Sequence, residues 1–370
     1  MDKFKIAFFS IHPAPYRDPF LTALSECCGI ELHVYSYQEI DFGHNFWNLP
    51  APKYSNVVLK SVTQKGVLRT FHWPLFKIVF SQYDLYVFPG FLHLTSVIGA
   101  LLCFVLHKKY VISADTVADS DSSTLKKKLK MKLIKNASFL FVPGKASAHY
   151  FCKRYQYPSE RICSGAYALD TVALASEIEM YKKQRLKIRQ KYGVLEKDIV
   201  FLMVANMIKS RGYPILAKAF SKISTQNSQV KFMMVGKGED YELIDAMCHD
   251  NPNLMCIPGC SFECLKELYA IADVYVHGGE EPASTALAIG AIAGLPLLSS
   301  YAVGHAYDVL VDGETGVVVD GFGSEHAWYK GITRLLSMQM EWDRCGFNAK
   351  KLVEDIGVKK TLERFCLLLK

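Results

Sequence analysis

Glu280 and Glu281 stand side by side behind a loop of small residues, His277-Gly278-Gly279, which follows the short apolar run 273–276. An Ala-rich segment, 284–293, comes next and is closed by Gly294 and Pro296. A carboxylate there can accept hydrogen bonds from hydroxyl groups, and the free amides of a helix starting near Ala283 suit phosphate. A second loop, 204–212, carries Lys209 and Arg211, cations that could clamp a diphosphate. Taken alone they read better as solvated loop charges, and it is their place among three loops at strand ends of one sheet that favours the clamp. A third loop, Val235-Gly236-Lys237-Gly238-Glu239, is a G-x-G turn, which either lets backbone approach a ligand or is only a tight connection. Together these residues describe a crevice for a phosphorylated, hydroxyl-rich molecule.

The elements that must position them alternate. Apolar runs at 5–11, 31–37, 56–59, 85–88, 110–113 and 139–142 read as buried strands, and intervening segments such as 71–81, 92–106, 124–135 and 145–155 as helices. A charged helical stretch, 176–193, reads as the crossing between two domains. The rhythm then resumes with strands at 199–205, 231–235 and 254–257 and helices at 213–223, 240–249 and 263–271, and ends in helices at 325–337 and 348–369. Strands alternating with helices predict an α/β fold of doubly wound parallel sheets. In such sheets ligands bind beyond the carboxyl ends of the strands, where all three loops lie.

At 370 residues the chain suggests two domains. Its 11 cysteines are scattered without a C-x-x-C pair, as expected of reduced thiols in a cytoplasmic protein. The start of the chain is too short in apolar residues for a signal-peptide core, and the nearly uncharged stretch 88–106 is broken by Pro89, Gly90 and Gly99. The net charge of +7 is partly concentrated at 125–135 (LKKKLKMKLIK), with six lysines and Leu125, Leu129 and Leu133 four apart. Such a stripe could rest on anionic lipid headgroups or be a solvated surface helix. No reading helix or aromatic platform accompanies the charge, so nucleic acid is not an expected partner.

The ordered motifs VANMIKSRGYPILAKAF, VGKGEDYEL, LYAIADVYV, EEPASTALAIGAIAGLPLLSS and DGETGVVV resemble family 4 retaining glycosyltransferases of the GT-B fold. The resemblance covers roughly residues 198–320 well. It covers the first half mainly through PAPYRDPF, the FWNLP region and ALDT at 168–171. It implies two Rossmann-like domains facing a cleft: an acceptor-side domain at 1–172, a donor-side domain at 173–345, and a terminal helix at 346–370 packing back toward the first. It further implies a nucleotide-diphosphate sugar donor, a UDP-sugar ahead of a GDP-sugar, and no metal ion. The acceptor would be a glycan or polyprenyl-linked glycan of bacterial surface polysaccharide synthesis, met in the cytoplasm at the inner face of the membrane.

Carried over by position, Glu281 matches the first glutamate of the family's E-x7-E motif, which contacts the donor sugar. The second glutamate, which holds the ribose, falls on Ile289. The arginine of the diphosphate clamp falls on Asn206 and the lysine on Arg211, with Lys209 near enough to compensate. Ala283, Ser284, Thr285 and Ala286 occupy the helix start that meets the diphosphate. Because Asn206 and Ile289 depart from the pattern, a weak or inactive nucleotide-binding homologue is the rival expectation, and a GT-B nucleotide-sugar epimerase a further one.

On the first domain, His12, Tyr16 and Arg17 follow the first strand and face acceptor or phosphate, unless Arg17 is consumed by Asp18 or a neighbouring helix. Asp115, just past strand 110–113, is the candidate base for an acceptor hydroxyl. His44 and Trp47 could stack on a sugar or plug the loop. Asp119-Ser120-Asp121 has a D-x-D form but reads better as turn and capping chemistry than as a metal site.

Overall fold

A computed structural model describes residues 3–14, 16–39, 51–60, 71–118 and 124–369. His44, Trp47 and Asp119-Ser120-Asp121 lie outside these residues. The chain divides into two compact units, one taking residues up to Asp170 together with Ile356–Lys370, the other Thr171–Asp355.

Among the described residues, unit 1 is built on a seven-stranded sheet of β1 Phe4–Ser10, β2 Ile30–Ser36, β3 Asn56–Val58, β4 Leu85–Pro89, β5 Tyr110–Ser113, β6 Phe139–Val142 and β7 Ile162–Ser164, ordered β3-β2-β1-β4-β5-β6-β7. Unit 2 has six: β8 Ile199–Val204, β9 Val230–Val235, β10 Leu254–Ile257, β11 Val274–His277, β12 Leu297–Ser299 and β13 Gly316–Val318, ordered β10-β9-β8-β11-β12-β13. Every pairing in both sheets is parallel. The expected α/β class with two Rossmann-like doubly wound sheets is therefore the observed one. Runs such as IVFLMV in β8 are apolar at both parities because helices cover both faces of a parallel sheet.

Both sheets reverse direction of growth once, between β1 and β4 in unit 1 and between β8 and β11 in unit 2. Loops leaving two such strands diverge to opposite faces and open a crevice at their carboxyl ends. In unit 2 these are the loops that carry Arg211 and Glu281.

Three elements differ from the sequence expectation. Residues 176–193 are not one helix crossing between the units: helices Thr171–Lys182 and Arg185–Lys191 both belong to unit 2. Arg189, 3 % exposed, donates to Asp273 Oδ2 at 2.6 Å, and Arg185 to Oδ1 at 2.6 Å. Asp273 also accepts the Val200 amide at 2.8 Å, so the foot of β11 is locked to β8 by a charge cluster in which Arg189 is buried and Asp273 and Arg185 are partly exposed. The terminal helix is split into Trp342–Val353 and Val358–Leu367 around Gly357. The second piece places Phe365 among Phe20, Phe139 and Phe141 of unit 1. The lysine-rich helix, Thr124–Asn136, does not keep a uniform stripe. Leu133 is in the core, Leu129 packs against it partly, and Leu125 is 78 % exposed.

Candidate functional site

The loop after β8 ends in a single 3-10 turn, Lys209–Arg211, stopped by Gly212 at φ +71°. The loop after β11 runs against it. The Glu280 amide donates to Ser210 O at 2.7 Å, and a Cβ on Gly279, at φ +117°, would stand 2.1 Å from that same oxygen. Only glycine fits where two backbones touch and φ is positive. The G-x-G turn closes the group: Met207 N donates to Lys237 O at 2.8 Å and Asp240 N to Met207 O at 2.9 Å. Cβ atoms on Gly236 and Gly238 would meet Ala205 O at 2.0 Å and Met207 O at 2.3 Å. These glycines therefore allow loop to stack on loop, a role distinct from the ligand approach read from the sequence.

This interlock brings Arg211 and Glu281, read from distant motifs, into an ion pair: Nη2 lies 3.1 Å from Oε1. The other carboxylate oxygen, Oε2, accepts from His277 Nε2 at 2.8 Å. The backbone of Glu281 is held as well, its amide donating to Ala302 O at 3.2 Å and its carbonyl accepting from Gly304 N at 2.8 Å. Burial pushes the Glu281 carboxyl up, but the His277 hydrogen bond and the charges of His277 and Arg211 outweigh it and hold the group below its ordinary value. A carboxylate with both oxygens held, yet 22 % exposed in its side chain, keeps lone pairs for a ligand hydroxyl.

The helix after Glu281 spans Thr285–Ile292, two residues later than expected from Ala283. Glu281 forms an isolated bridge with Val303, Pro282 and Ala283 precede the helix, and Ser284 is the N-cap, its Oγ accepting the Leu287 amide at 3.3 Å. The amides of Thr285 and Ala286 open the helix and have no acceptor within it, which leaves a positive helix end beside Glu281. Buried His305 fixes the cap from behind, Nδ1 to Ser284 O at 2.7 Å. Asn206 and Lys209 are exposed on the β8 loop, while Ile289 is buried in the second turn of the helix.

In unit 1 the expected acceptor-side residues have different surroundings. Arg17 is buried and spends its guanidinium on Ser10 Oγ at 2.6 Å and His12 O at 3.1 Å. Its position also lies over the Tyr16 and Tyr167 rings, 5.7 and 6.0 Å from their centroids. Asp115 accepts the Tyr167 hydroxyl at 3.1 Å, so Tyr167 gathers Tyr16, Arg17 and Asp115. Burial and Asp115 push the Tyr167 hydroxyl well above its ordinary value, which keeps it a donor. His277 and Tyr167 were not singled out from the sequence. His277 carried only the signal of a polar residue ending an apolar strand, and Tyr167 carried none.

A two-sheet fold of this kind, with this crevice in its second unit, is the GT-B class. Residues 184–352, which lie in the second unit, match the family model described as Glycosyl transferases group 1. The capsular polysaccharide biosynthesis glycosyltransferase CapM of Staphylococcus aureus is 26 % identical over 185 residues, which span 48 % of each chain. The match thus spans about half the length of that relative. Crystal structures of Anabaena HepE with UDP-glucose (17 % identity, TM-score 0.74, 98 % of both chains) and of a Rickettsia africae glycosyltransferase (14 % identity, TM-score 0.78, 100 % of this chain and 98 % of that one) share the fold.

Proposed function

We propose that the chain is a retaining glycosyltransferase of the family 4 type. It would move a sugar from a nucleotide-diphosphate donor, UDP-sugar ahead of GDP-sugar, to a glycan or polyprenyl-linked glycan in bacterial surface polysaccharide synthesis. The observation that carries this reading is the Arg211–Glu281 pair beside the open start of the 285–292 helix, at the switch point of a parallel sheet. Glu281 accepts donor-sugar hydroxyls. Arg211, Lys209, the exposed amide of Asn206 and the helix start around Ala283, Ser284, Thr285 and Ala286 stabilise the charge that develops on the leaving diphosphate. The stacked turn at Gly236 and Gly238 keeps the Arg211 loop in register. On unit 1, Asp115, with Tyr167 as its donor, receives the acceptor proton, near His12, Tyr16 and Arg17. The HepE complexes with UDP and with UDP-glucose support a uridine nucleotide as the first probe.

Membrane contact through residues 125–135 is part of the proposal. Among the described residues no helix is long and apolar enough to cross a membrane. Lys126, Lys127 and Lys128 are exposed, as is Leu125. The helix Leu94–Val105 packs beside this one and exposes Leu94 and Val105. Cations flanking apolar side chains suit the anionic cytoplasmic leaflet, where a lipid-linked acceptor resides.

A thermal-shift panel of UDP, UDP-glucose, GDP and ADP tests the donor site, since ligand at about 100 times its dissociation constant adds ~2.7 kcal/mol. No shift with any of them sinks the reading. Ile289 in place of a ribose carboxylate favours a second reading, a nucleotide-binding homologue without turnover. Binding with no release of nucleoside diphosphate to any glycan acceptor selects it. In an active enzyme Arg211→Ala lowers turnover by roughly one to two decades, the worth of one charge-assisted hydrogen bond.

A further inference from the structure

We propose that His277 is a positioning residue for Glu281, fixing the plane of its carboxylate so that the face between His277 and Arg211 is presented to the donor sugar. This rests on the reading of Glu281 as the sugar-binding carboxylate. The His277 ring is fully buried, and its Nε2 lies 2.8 Å from Glu281 Oε2. A carboxylate only accepts, so Nε2 carries the proton. Among the described residues Nδ1 is buried without a hydrogen-bond partner, so the bond to Glu281 is the ring's one hydrogen bond there. The strand end holds His277 in turn, its carbonyl accepting from Ser299 Oγ at 2.9 Å, and the charge cluster at Asp273 locks the other end of the same strand. The chain from β11 to the carboxylate is thus rigid, and the ordering of Glu281 is completed in the fold before any ligand arrives.

The other groups acting on Glu281 are Arg211 on Oε1, the Ser284 hydroxyl, and the buried phenols Tyr213, Tyr269 and Tyr275. The phenols stay neutral because burial pushes them well above their ordinary value. Loss of His277 removes the hydrogen bond that most favours the ionised carboxylate, and burial then raises the Glu281 carboxyl.

The test uses the full chain, UDP-glucose as probe, and the variants His277→Gln, His277→Leu, Glu281→Gln and the His277→Leu/Glu281→Gln double. By calorimetry His277→Leu weakens UDP-glucose roughly tenfold or more at neutral pH. It also moves the acid limb of binding to higher pH. His277→Gln, whose amide reaches the same oxygen, restores most of both, and the double variant is no weaker than Glu281→Gln alone. Additive losses, or an acid limb that stays in place, overturn the proposal. If the unaltered chain does not bind UDP-glucose, the donor-site reading fails by itself. The positioning claim is then decided in ligand-free protein by histidine 15N spectra. The His277 Nε2 resonance, assigned by its loss in His277→Gln, must move in Glu281→Gln, and an unmoved resonance overturns it.

Discussion

Arg189 and Asp273 meet at 2.6 Å at the foot of β11, the guanidinium 3 % exposed and its remaining donors placed on the carbonyls of Ile271, Leu195, Glu196 and Asp198. The sequence places Arg189 in a charged stretch that reads as a connector, yet the side chain is a structural anchor one strand-length from Glu281. Removing Arg189 leaves Asp273 its Arg185 partner but strips four carbonyls of a buried donor and Asp273 of one of its two guanidinium partners. Arg189→Ala is expected to lose about 3–5 kcal/mol in urea unfolding of unit 2. A loss below about 1 kcal/mol, the range of an exposed pair, contradicts this placement.

Gly279→Ala tests the loop interlock. The new methyl would stand 2.1 Å from Ser210 O at φ +117°, so the two loops must part. Expected are a stability loss of about 1–3 kcal/mol and loss of the UDP-glucose thermal shift. Gly321→Ala, also at positive φ but with open space around its Cβ direction, serves as the control and leaves the ligand shift intact.

The Glu281 carboxyl is held below its ordinary value by the His277 hydrogen bond and the Arg211 charge, so its folded value lies under its unfolded one. The contribution to stability is therefore present above the unfolded value and lost as pH falls through the folded value. The stability difference between the unaltered chain and Glu281→Gln should be largest at neutral pH and shrink on acidification below about pH 4.5. Urea midpoints across that range measure it. A difference that grows on acidification reverses the sign and removes the ionised pair.

Replacing Lys126, Lys127 and Lys128 with Gln should lower partitioning onto phosphatidylglycerol vesicles by roughly a hundredfold, at ~1 kcal/mol per basic residue. Neutral phosphatidylcholine vesicles should show little binding by either form. Equal sedimentation of both forms with anionic vesicles sinks the membrane contact at this helix.

The order of elements, the parallel sheets and the three loops of unit 2 were legible because their signals are local. Apolar runs of strand length, helix periodicity, and glycine or proline at the breaks all sit within a few residues. Glu281 and Arg211 could be named separately from the motifs around them. What could not be read was their contact, nor the His277 bond to the second oxygen. The first depends on loops that are separated along the chain and meet only when β8 and β11 pair; the second joins residues four apart, and depends on how the Gly278-Gly279 loop turns the Glu281 side chain back onto the strand end. Helix starts slipped by one or two residues where a side-chain cap, such as Ser284, and not the apolar pattern sets the boundary.

The amino-acid sequence by itself determined the class of fold and the chemical types gathered in unit 2: carboxylate, cations, helix start and stacked glycines. Tertiary structure alone decided which of the charges serve the site and which serve the scaffold. Arg211 and Arg189 are equally basic in the sequence, but one is partly exposed on Glu281 while the other is buried beneath β11. The physical reason is that burial and pairing are properties of the environment, and residues far apart in sequence supply that environment only once the sheet of unit 2 is formed.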